Sequence, residues 1–454
     1  MEKKNSKDTS RRDFIKKSTL GTAGLTIGAM GFSAKSYARI MGANDRMNVA
    51  LIGLGRRYSA YLPPIGNKDN NIELKYLCDV MDSQLEKASK RVKKELGLKP
   101  QLIKDQMKVF EDSEIDAVFI ATPDHWHTPA AILALQRGKH VYVEKPISHN
   151  PYEGELLVEA KKKYGKVVQM GNQQRSSRES QEVIQAIHDG AIGNPYLAVA
   201  FYVNARGRTP NQEVQAPPKG LDWEMWQGPA IHRPYTYNTW DYNWHWYGWN
   251  YGTAETGNNA LHELDIARWA LQVDIPEEVN VEAKKQHFLD DGWEMYDTME
   301  ATFKYGDDKI IKWDGKSRNG YNTYGSGGRG TIIYGSEGSV FVNRGGYKLF
   351  DRKGKVVKDS SSATQESGTA LGGGGDLSTR HVNNFFDVIR GKTTKQSSPV
   401  EEGVTSTLLC HLANISYRTG SKLRLNCANG HIMNNNSAMQ LWRREYEKGW
   451  EPKI

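Results

Sequence analysis

Between Met47 and Gly171 five short apolar runs, "NVALIGL", "IELKYLCDV", "DAVFIAT", "KHVYVEK" and "KVVQMG", alternate with segments such as Asp82–Leu96 and Tyr152–Tyr164, whose apolar residues recur at helical spacing. No other feature restricts the fold so strongly. Parallel strands need a long crossover, usually a helix, and the helices bury both faces of the sheet. Such strands therefore read as unbroken apolar runs, not as alternating ones. The pattern predicts an α/β domain with a parallel sheet and helices on both faces.

After Gly171 the texture changes. Pro- and aromatic-rich segments give way to strand-like alternation in "YDTMEATFKY", "KIIKWDG", "GTIIYG" and "GSVFVN", which predicts a mostly antiparallel open sheet in a second, α+β domain. A Ser-, Gly- and Asp-rich stretch, Asp359–Asp376, reads as a loop or linker, and helical patterns follow at His381–Arg390 and Val400–Arg418. The expected units are 47–171, 172–375, and helices with a tail over 376–454 that pack back on the body. No internal repeat is evident.

Gly53-x-Gly55 follows the first strand, where glycines let a backbone approach a pyrophosphate at the start of a helix. Tyr58 stands where the third glycine of the usual fingerprint falls. Asp79 ends the next strand, 26 residues after Gly53, where a carboxylate accepts from both adenosine ribose hydroxyls and repels a 2′-phosphate. The first domain is thus expected to be a Rossmann domain that takes NAD over NADP. Arg56 and Arg57 stand at the same turn, where an arginine can face a phosphate.

Residues 1–38 are a segment apart. "SRRDFIKKS" is followed by a stretch, Ser18 to Ala34, of 17 residues with no charge and four glycines, and Ser36-Tyr37-Ala38 supplies a small-x-small end. This order makes a signal peptide cleaved near Ala38, and the twin arginine resembles the twin-arginine (Tat) signal that takes folded proteins to the periplasm. The apolar stretch is too short and glycine-rich for a membrane span. The segment holds eight Lys/Arg against three acids, which is +5 of the chain's +8 and leaves +3 for the rest. With no long basic run remaining, nucleic acid is not an expected partner. Cys78, Cys410 and Cys427 lack metal-ligand spacing; Cys78 reads as a buried thiol, and Cys410 and Cys427 could pair.

"ATPDHWHTPAA", "KHVYVEKPIS", "GNNALHELDIARWAL" and "CHLANISYRTG" stand in an order and spacing that resemble the Gfo/Idh/MocA oxidoreductases, the family of glucose–fructose oxidoreductase and inositol dehydrogenase, and most closely its exported branch. The resemblance implies that Thr122, Pro123, His125, His127, Glu144 and Asn172 join the cofactor residues, and that Lys145 of the Glu-Lys-Pro motif lies beside the reacting carbinol. Hydride leaves carbon only as the hydroxyl loses its proton, so a nearby ammonium stabilises the developing alkoxide. His262 is the second implied catalytic group. The family's usual aspartate four residues before it is Asn258 here. An amide cannot act as a base, so the proton relay rests on Lys145 and His262, and Asn258 orients or binds sugar hydroxyls. Asp265 either orients the His262 imidazole or makes a helix-surface pair. His125 and His127 could supply two metal ligands, but no third is obvious and no metal is expected.

Six of the twelve tryptophans fall between Trp223 and Trp249, in a segment whose spacing follows neither helical nor strand period and reads as a long ordered loop. Aromatic faces stack on pyranose rings, and Trp244, His245, Asp241 and Asn243 could hold a sugar. The same composition also suits an aromatic core or a subunit interface. Arg175, after the last strand of the first domain, is expected to point into the cleft.

The implied activity is removal of hydride from a secondary hydroxyl of a sugar or glycoside, best placed at C3, by an NAD-dependent homo-oligomer. A partner lyase could then open the keto-glycoside. Free NAD is scarce outside the cytoplasm, so an exported enzyme must carry its cofactor with it and restore it in place. A redox-neutral, NAD-assisted glycosidase and a non-catalytic carbohydrate-binding protein are the alternatives.

Overall fold

The first sheet follows the apolar runs. β1 (Met47–Ile52), β2 (Ile72–Cys78), β3 (Gln101–Ile103), β4 (Ala117–Ile120), β5 (His140–Val143) and β6 (Val168–Met170) pair in parallel throughout, in the order β3-β2-β1-β4-β5-β6. β3 has no counterpart among the predicted strands, because it is a three-residue edge strand with Gln101 and Leu102 exposed. Along β4 the pleat sends Ala117 and Phe119 into one core and Val118 and Ile120 into the other. α1 (Asp82–Leu96) buries Leu85, Ala88 and Val92 on the first face and stops at Gly97 in the left-handed region. α2 (His127–Gln136) and α3 (Pro151–Tyr164) cover the second face. α3 starts where it does because Asn150 accepts from the Glu153 amide and Pro151 needs no N–H partner in the first turn.

The computed structural model describes residues 45–325, 327–360 and 376–454; the expected signal peptide (1–38) and nearly all of the expected linker lie outside the described residues. The second sheet comprises β7 (Pro195–Ala205), β8 (Glu278–Lys284), β9 (Thr298–Lys304), β10 (Ile310–Lys316), β11 (Arg318–Asn319), β12 (Arg329–Gly335), β13 (Gly338–Asn343), β14 (Gly346–Asp351), β15 (Val356–Asp359) and β16 (Leu423–Arg424). Its order is β15-β14-β13-β12-β7-β10-β9-β8-β16, with β11 on β7, and only the β7–β10 pairing is parallel. Alternation sets its faces: Met299, Ala301 and Phe303 of β9 are buried while Glu300 and Lys304 are exposed. α4 (Leu261–Leu271) lies against β7 and β12.

The C-terminal helices tie the two sheets together. Phe385 and Phe386 of α5 (Asp376–Ile389) meet Phe119 edge-on at 5.7 and 5.9 Å, closing a core that the first sheet leaves open. Each such ring contributes about 1.5–3 kcal/mol by burial. α6 (Val400–Thr419) packs against α3, α4 and β8. One core therefore runs through both sheets, and residues 47–454 form one compact unit. All three cysteines are free thiols, with Cys410 buried and Cys427 exposed, so the expectation that those two could pair does not hold.

Candidate active site

A cavity of about 680 Å³ opens at the carboxyl ends of β1, β2, β4 and β5. It lies beside the topological switch between β1 and β4, the place where such sheets bind ligands. Its far wall comes from β7, the 240–245 loop, the 327–329 approach to β12 and the 343–345 turn.

At the first turn Gly53 has φ +84°, and a Cβ there would lie 2.6 Å from the Ala121 carbonyl, so only glycine fits; Gly55 faces open space. The turn does not open a long helix as expected. Tyr58–Tyr61 is a 3-10 turn, and the helical turn after it carries Pro63 and Pro64, which lack the N–H groups needed to extend it. Asp79 accepts from the Leu54 amide at 2.7 Å and the Met81 amide at 2.9 Å. Burial pushes its carboxyl up to about 6 against those two bonds. Arg56 lies over the Tyr242 ring at 4.3 Å. Arg57 turns instead to Glu144, with Nε 2.7 Å from the carboxylate. Tyr61 also donates to Glu144 at 2.8 Å. Burial alone would raise the Glu144 carboxyl, but the Arg57 guanidinium, the Tyr61 hydroxyl and the Lys145 charge together hold the group below the usual range.

At the reacting end Lys145, two residues past the end of β5, donates from Nζ to the Asn258 backbone carbonyl at 2.6 Å, with Asn258 Oδ1 at 3.4 Å. Burial lowers its pKa, and Asp124 opposes that shift. Asn258 lies in a π-helical turn, Thr256–Ala260, that leads into α4 and His262. Such turns widen a helix locally and often occur at functional sites. His262 Nδ1 donates to Asn172 Oδ1 at 3.1 Å. Burial first, then the Arg344 and Lys145 charges, push the imidazole well below its usual range.

Of the expected cofactor and substrate residues, Gly53, Gly55, Arg56, Arg57, Asp79, Thr122, Pro123, Glu144, Lys145, Asn258, Trp244, His245 and His262 all line this cavity. Four others do not. His127 spans two turns, with its ring nitrogens on the Thr122 and Pro146 carbonyls at 2.8 and 2.6 Å, so it props the cofactor loop instead of facing the cofactor. His125 is fully buried, with Nε2 on the Trp226 carbonyl at 2.9 Å, and burial brings its pKa down to about 3. Asn172 serves His262. Arg175 points away from the cleft into a buried ion pair with Asp265 at 2.8 Å and also reaches Glu402 at 3.0 Å. Asp265 is thereby committed to Arg175 and to Ser406, and neither orients His262 nor lies on the surface.

The aromatic segment divides between the two roles considered for it. Trp223, Trp226, Tyr235, Trp244 and Tyr251 form a small core of their own, while Trp226, Trp240 and Trp244 also face the cavity. His245 is buried with its ring stacked on Trp244 at 3.5 Å and Nδ1 on the Tyr242 carbonyl at 2.7 Å. Sequence reasoning missed Asp124, which accepts from Thr253 at 2.6 Å beside Lys145, and the arginines of the second sheet, Arg206, Arg329 and Arg344. Asp124 could have been found from its place in the turn after an apolar strand. The arginines could not, because strand alternation does not reveal which end of a sheet meets a cleft.

Parallel sheet, glycine turn and acidic strand end define an NAD-binding oxidoreductase. Two family profiles match the chain: the oxidoreductase family's NAD-binding Rossmann fold over residues 47–172 and its C-terminal alpha/beta domain over residues 197–344. The chain belongs to the Gfo/Idh/MocA oxidoreductase family. It is 32% identical over 164 residues to inositol 2-dehydrogenase 4 of Saccharopolyspora erythraea, covering 36% of this chain and 47% of that protein. It is 27% identical over 211 residues to a glycosyl hydrolase family 109 protein of Shewanella baltica, covering 43% and 46%. The chain thus spans about half the length of the curated relatives it matches. The fold is similar to that of the WlbA dehydrogenase of Bordetella pertussis, a structure in complex with NADH and UDP-GlcNAcA, with TM-score 0.60 and 20% identity over 84% of this chain and 99% of that one.

The residues present fit the cofactor. Gly53 allows the close approach, Asp79 keeps lone pairs free for ribose hydroxyls, and the buried Thr122 hydroxyl has no hydrogen-bond partner among the described residues.

Proposed function

We propose that this chain transfers hydride from a secondary hydroxyl of a sugar or glycoside, at C3 by family analogy, to tightly held NAD, and that it works as a homo-oligomer in the periplasm after Tat export in the folded, loaded state. The observation that carries the reading is the pair of proton-handling groups, Lys145 and His262, on the wall of one cavity with the cofactor turns. The match to an inositol dehydrogenase supports a polyhydroxylated substrate.

Bound NAD supplies the hydride acceptor. The chain's own residues handle the proton. With Nδ1–H given to Asn172, His262 keeps its lone pair on Nε2 to accept the hydroxyl proton, and because burial and the nearby cations disfavour the charged ring it holds that proton only in passing, as a relay. The Lys145 ammonium spends one N–H on the Asn258 carbonyl and keeps others for the substrate oxygen as negative charge builds there. His127 and Thr122 hold the loop that carries Asp124.

The similarity to glycosyl hydrolase family 109 proteins favours a second reading, in which oxidation, elimination, hydration and reduction follow one another and cleave a glycosidic bond without net redox change. Product analysis separates the two. The holoprotein is incubated with a panel of glycosides, with and without a keto-sugar as acceptor, and the products are identified by mass. A keto-glycoside, ready for a partner lyase because its carbonyl acidifies the neighbouring C–H, supports the dehydrogenase. Free sugar with free aglycone supports the glycosidase. An unchanged panel returns the chain to carbohydrate binding without chemistry.

A further inference from the structure

Most cations of the cavity wall have partners. Arg57 pairs with Glu144 at 2.7 Å, Lys104 with Asp82 at 3.0 Å, Arg206 with Glu255 at 3.1 Å and Arg329 with Glu263 at 2.7 Å. Lys145 is held by the Asn258 carbonyl. Arg56 sits at the glycine turn over Tyr242, on the side where the cofactor's pyrophosphate belongs. Arg344 is the exception. It lines the same cavity, yet it makes no hydrogen bond, no ion pair and no ring contact among the described residues.

The position of Arg344 is built and not incidental. It occupies the two-residue loop Arg344-Gly345 between β13 and β14, where Asn343 faces Gly346 across the ladder. The Asn343 side chain accepts from the Gly345 amide at 2.8 Å, which fixes the turn. Asn343 and Gly345 line the cavity with it. Its charge acts on both His262 and Lys145, which places it at the reacting end, away from the adenosine end marked by Asp79. Desolvation and the neighbouring Arg329 bring its pKa down to about 9, so it remains a cation at neutral pH. The carboxylates that act on it, Glu263 and Glu144, are paired with Arg329 and Arg57 and do not contact it. A guanidinium held in a partly desolvated wall with no carboxylate in contact is unfavourable, and an anion in the cavity relieves it.

We propose that the substrate is an anionic sugar, and that Arg344 binds its carboxylate or sulfate while Lys145 and His262 act on a hydroxyl of the same ring. This rests on the sugar-oxidising reading above and narrows its substrate class. A guanidinium pairs with either oxyanion through two parallel N–H bonds, and the carboxylate of a uronoside is the smallest such group on a pyranose.

The test compares methyl glucuronide, glucose 6-sulfate and methyl glucoside on the purified holoprotein, following the absorbance of the bound nicotinamide. The wild type is expected to prefer one of the anionic sugars, and the sugar preferred tells carboxylate from sulfate. Arg344→Gln is expected to lower the ratio of kcat/KM for that sugar over methyl glucoside by about tenfold or more, mainly through KM, with Arg344→Lys in between. A binding readout accompanies the kinetics: tryptophan fluorescence of the Lys145→Met holoprotein titrated with the anionic sugar, whose affinity should weaken with added salt. A wild type that prefers the neutral sugar overturns the proposal. So does an Arg344→Gln protein that keeps the anionic preference, or one that purifies without NAD, which would assign Arg344 to the cofactor. If neutral sugars reduce the nicotinamide and anionic ones do not, only the anion assignment fails. If neither kind does, the sugar-oxidising reading fails with it.

Discussion

Lys145 Nζ donates to the backbone carbonyl of Asn258 at 2.6 Å, and the nearest side-chain oxygen of that residue, an amide Oδ1, is at 3.4 Å. The lysine is thus oriented by a dipole where the family's usual pattern would supply a carboxylate. Asp124 is the acid that most opposes its burial, with Glu144 next. Two consequences follow for its protonation.

Burial lowers the Lys145 pKa, so the ammonium is lost at lower pH than for an ordinary lysine. If the charged form stabilises the developing alkoxide, kcat/KM should fall as pH rises through that lowered pKa. Asn258→Asp places a carboxylate beside Nζ and favours the charged form. The alkaline limb should then move to higher pH by about one unit or more. The check is the pH profile of kcat/KM for both proteins, and an unmoved limb assigns it to another group.

Lys145→Met should leave the fold and bound NAD in place while lowering turnover by about a hundredfold or more. Cofactor content after acid denaturation and single-turnover rate, measured on the same sample, separate a chemical defect from a binding one. Turnover like that of the wild type would remove Lys145 from the mechanism.

The cofactor turn makes its own demands. Acid extraction should release NAD(H), not NADP(H), because the Asp79 carboxylate repels a 2′-phosphate. Gly53→Ala would force a Cβ within 2.6 Å of the Ala121 carbonyl at φ +84°, so the variant should purify with little or no cofactor. Chromatography of the extracts decides both points.

Arg175 is a structural residue. Its Nε lies 2.8 and 3.1 Å from the two carboxylate oxygens of Asp265 in a nearly dry setting. Removing one partner leaves a buried charge uncompensated, which costs about 3–5 kcal/mol. Arg175→Met should therefore lower the melting temperature sharply, and the fraction that folds should keep its KM for sugar. A raised KM with unchanged melting temperature would return Arg175 to the cleft.

Much of this architecture was legible because parallel strands carry their signature in short windows. The five apolar runs from "NVALIGL" to "KVVQMG" became β1, β2, β4, β5 and β6, and Asp82–Leu96 became α1 with the same bounds. What escaped depends on contacts distant in sequence. Nothing near Phe385 shows that it will meet Phe119 more than 200 residues earlier, and nothing near Arg175 announces Asp265. The histidines of "DHWH" were misleading for a related reason. Their residue type suits a cofactor or a metal, but both ring nitrogens of His127 lie on the Thr122 and Pro146 carbonyls, and His125 is buried with Nε2 on the Trp226 carbonyl. Lys145 and His262, in contrast, could be placed in advance because each follows a recognisable local motif at the mouth of the cleft.

The most direct test of hydride transfer uses a glycoside carrying deuterium on C3, mixed in excess with the NAD-loaded protein under conditions of a single turnover. The nicotinamide is then extracted and its mass measured. Oxidation at C3 by Lys145 and His262 predicts reduced nicotinamide carrying the deuterium, with the label absent in Lys145→Met. Reduced nicotinamide without deuterium would move the reaction to another carbon. Nicotinamide that stays oxidised, with every sugar of the panel, would contradict hydride transfer itself.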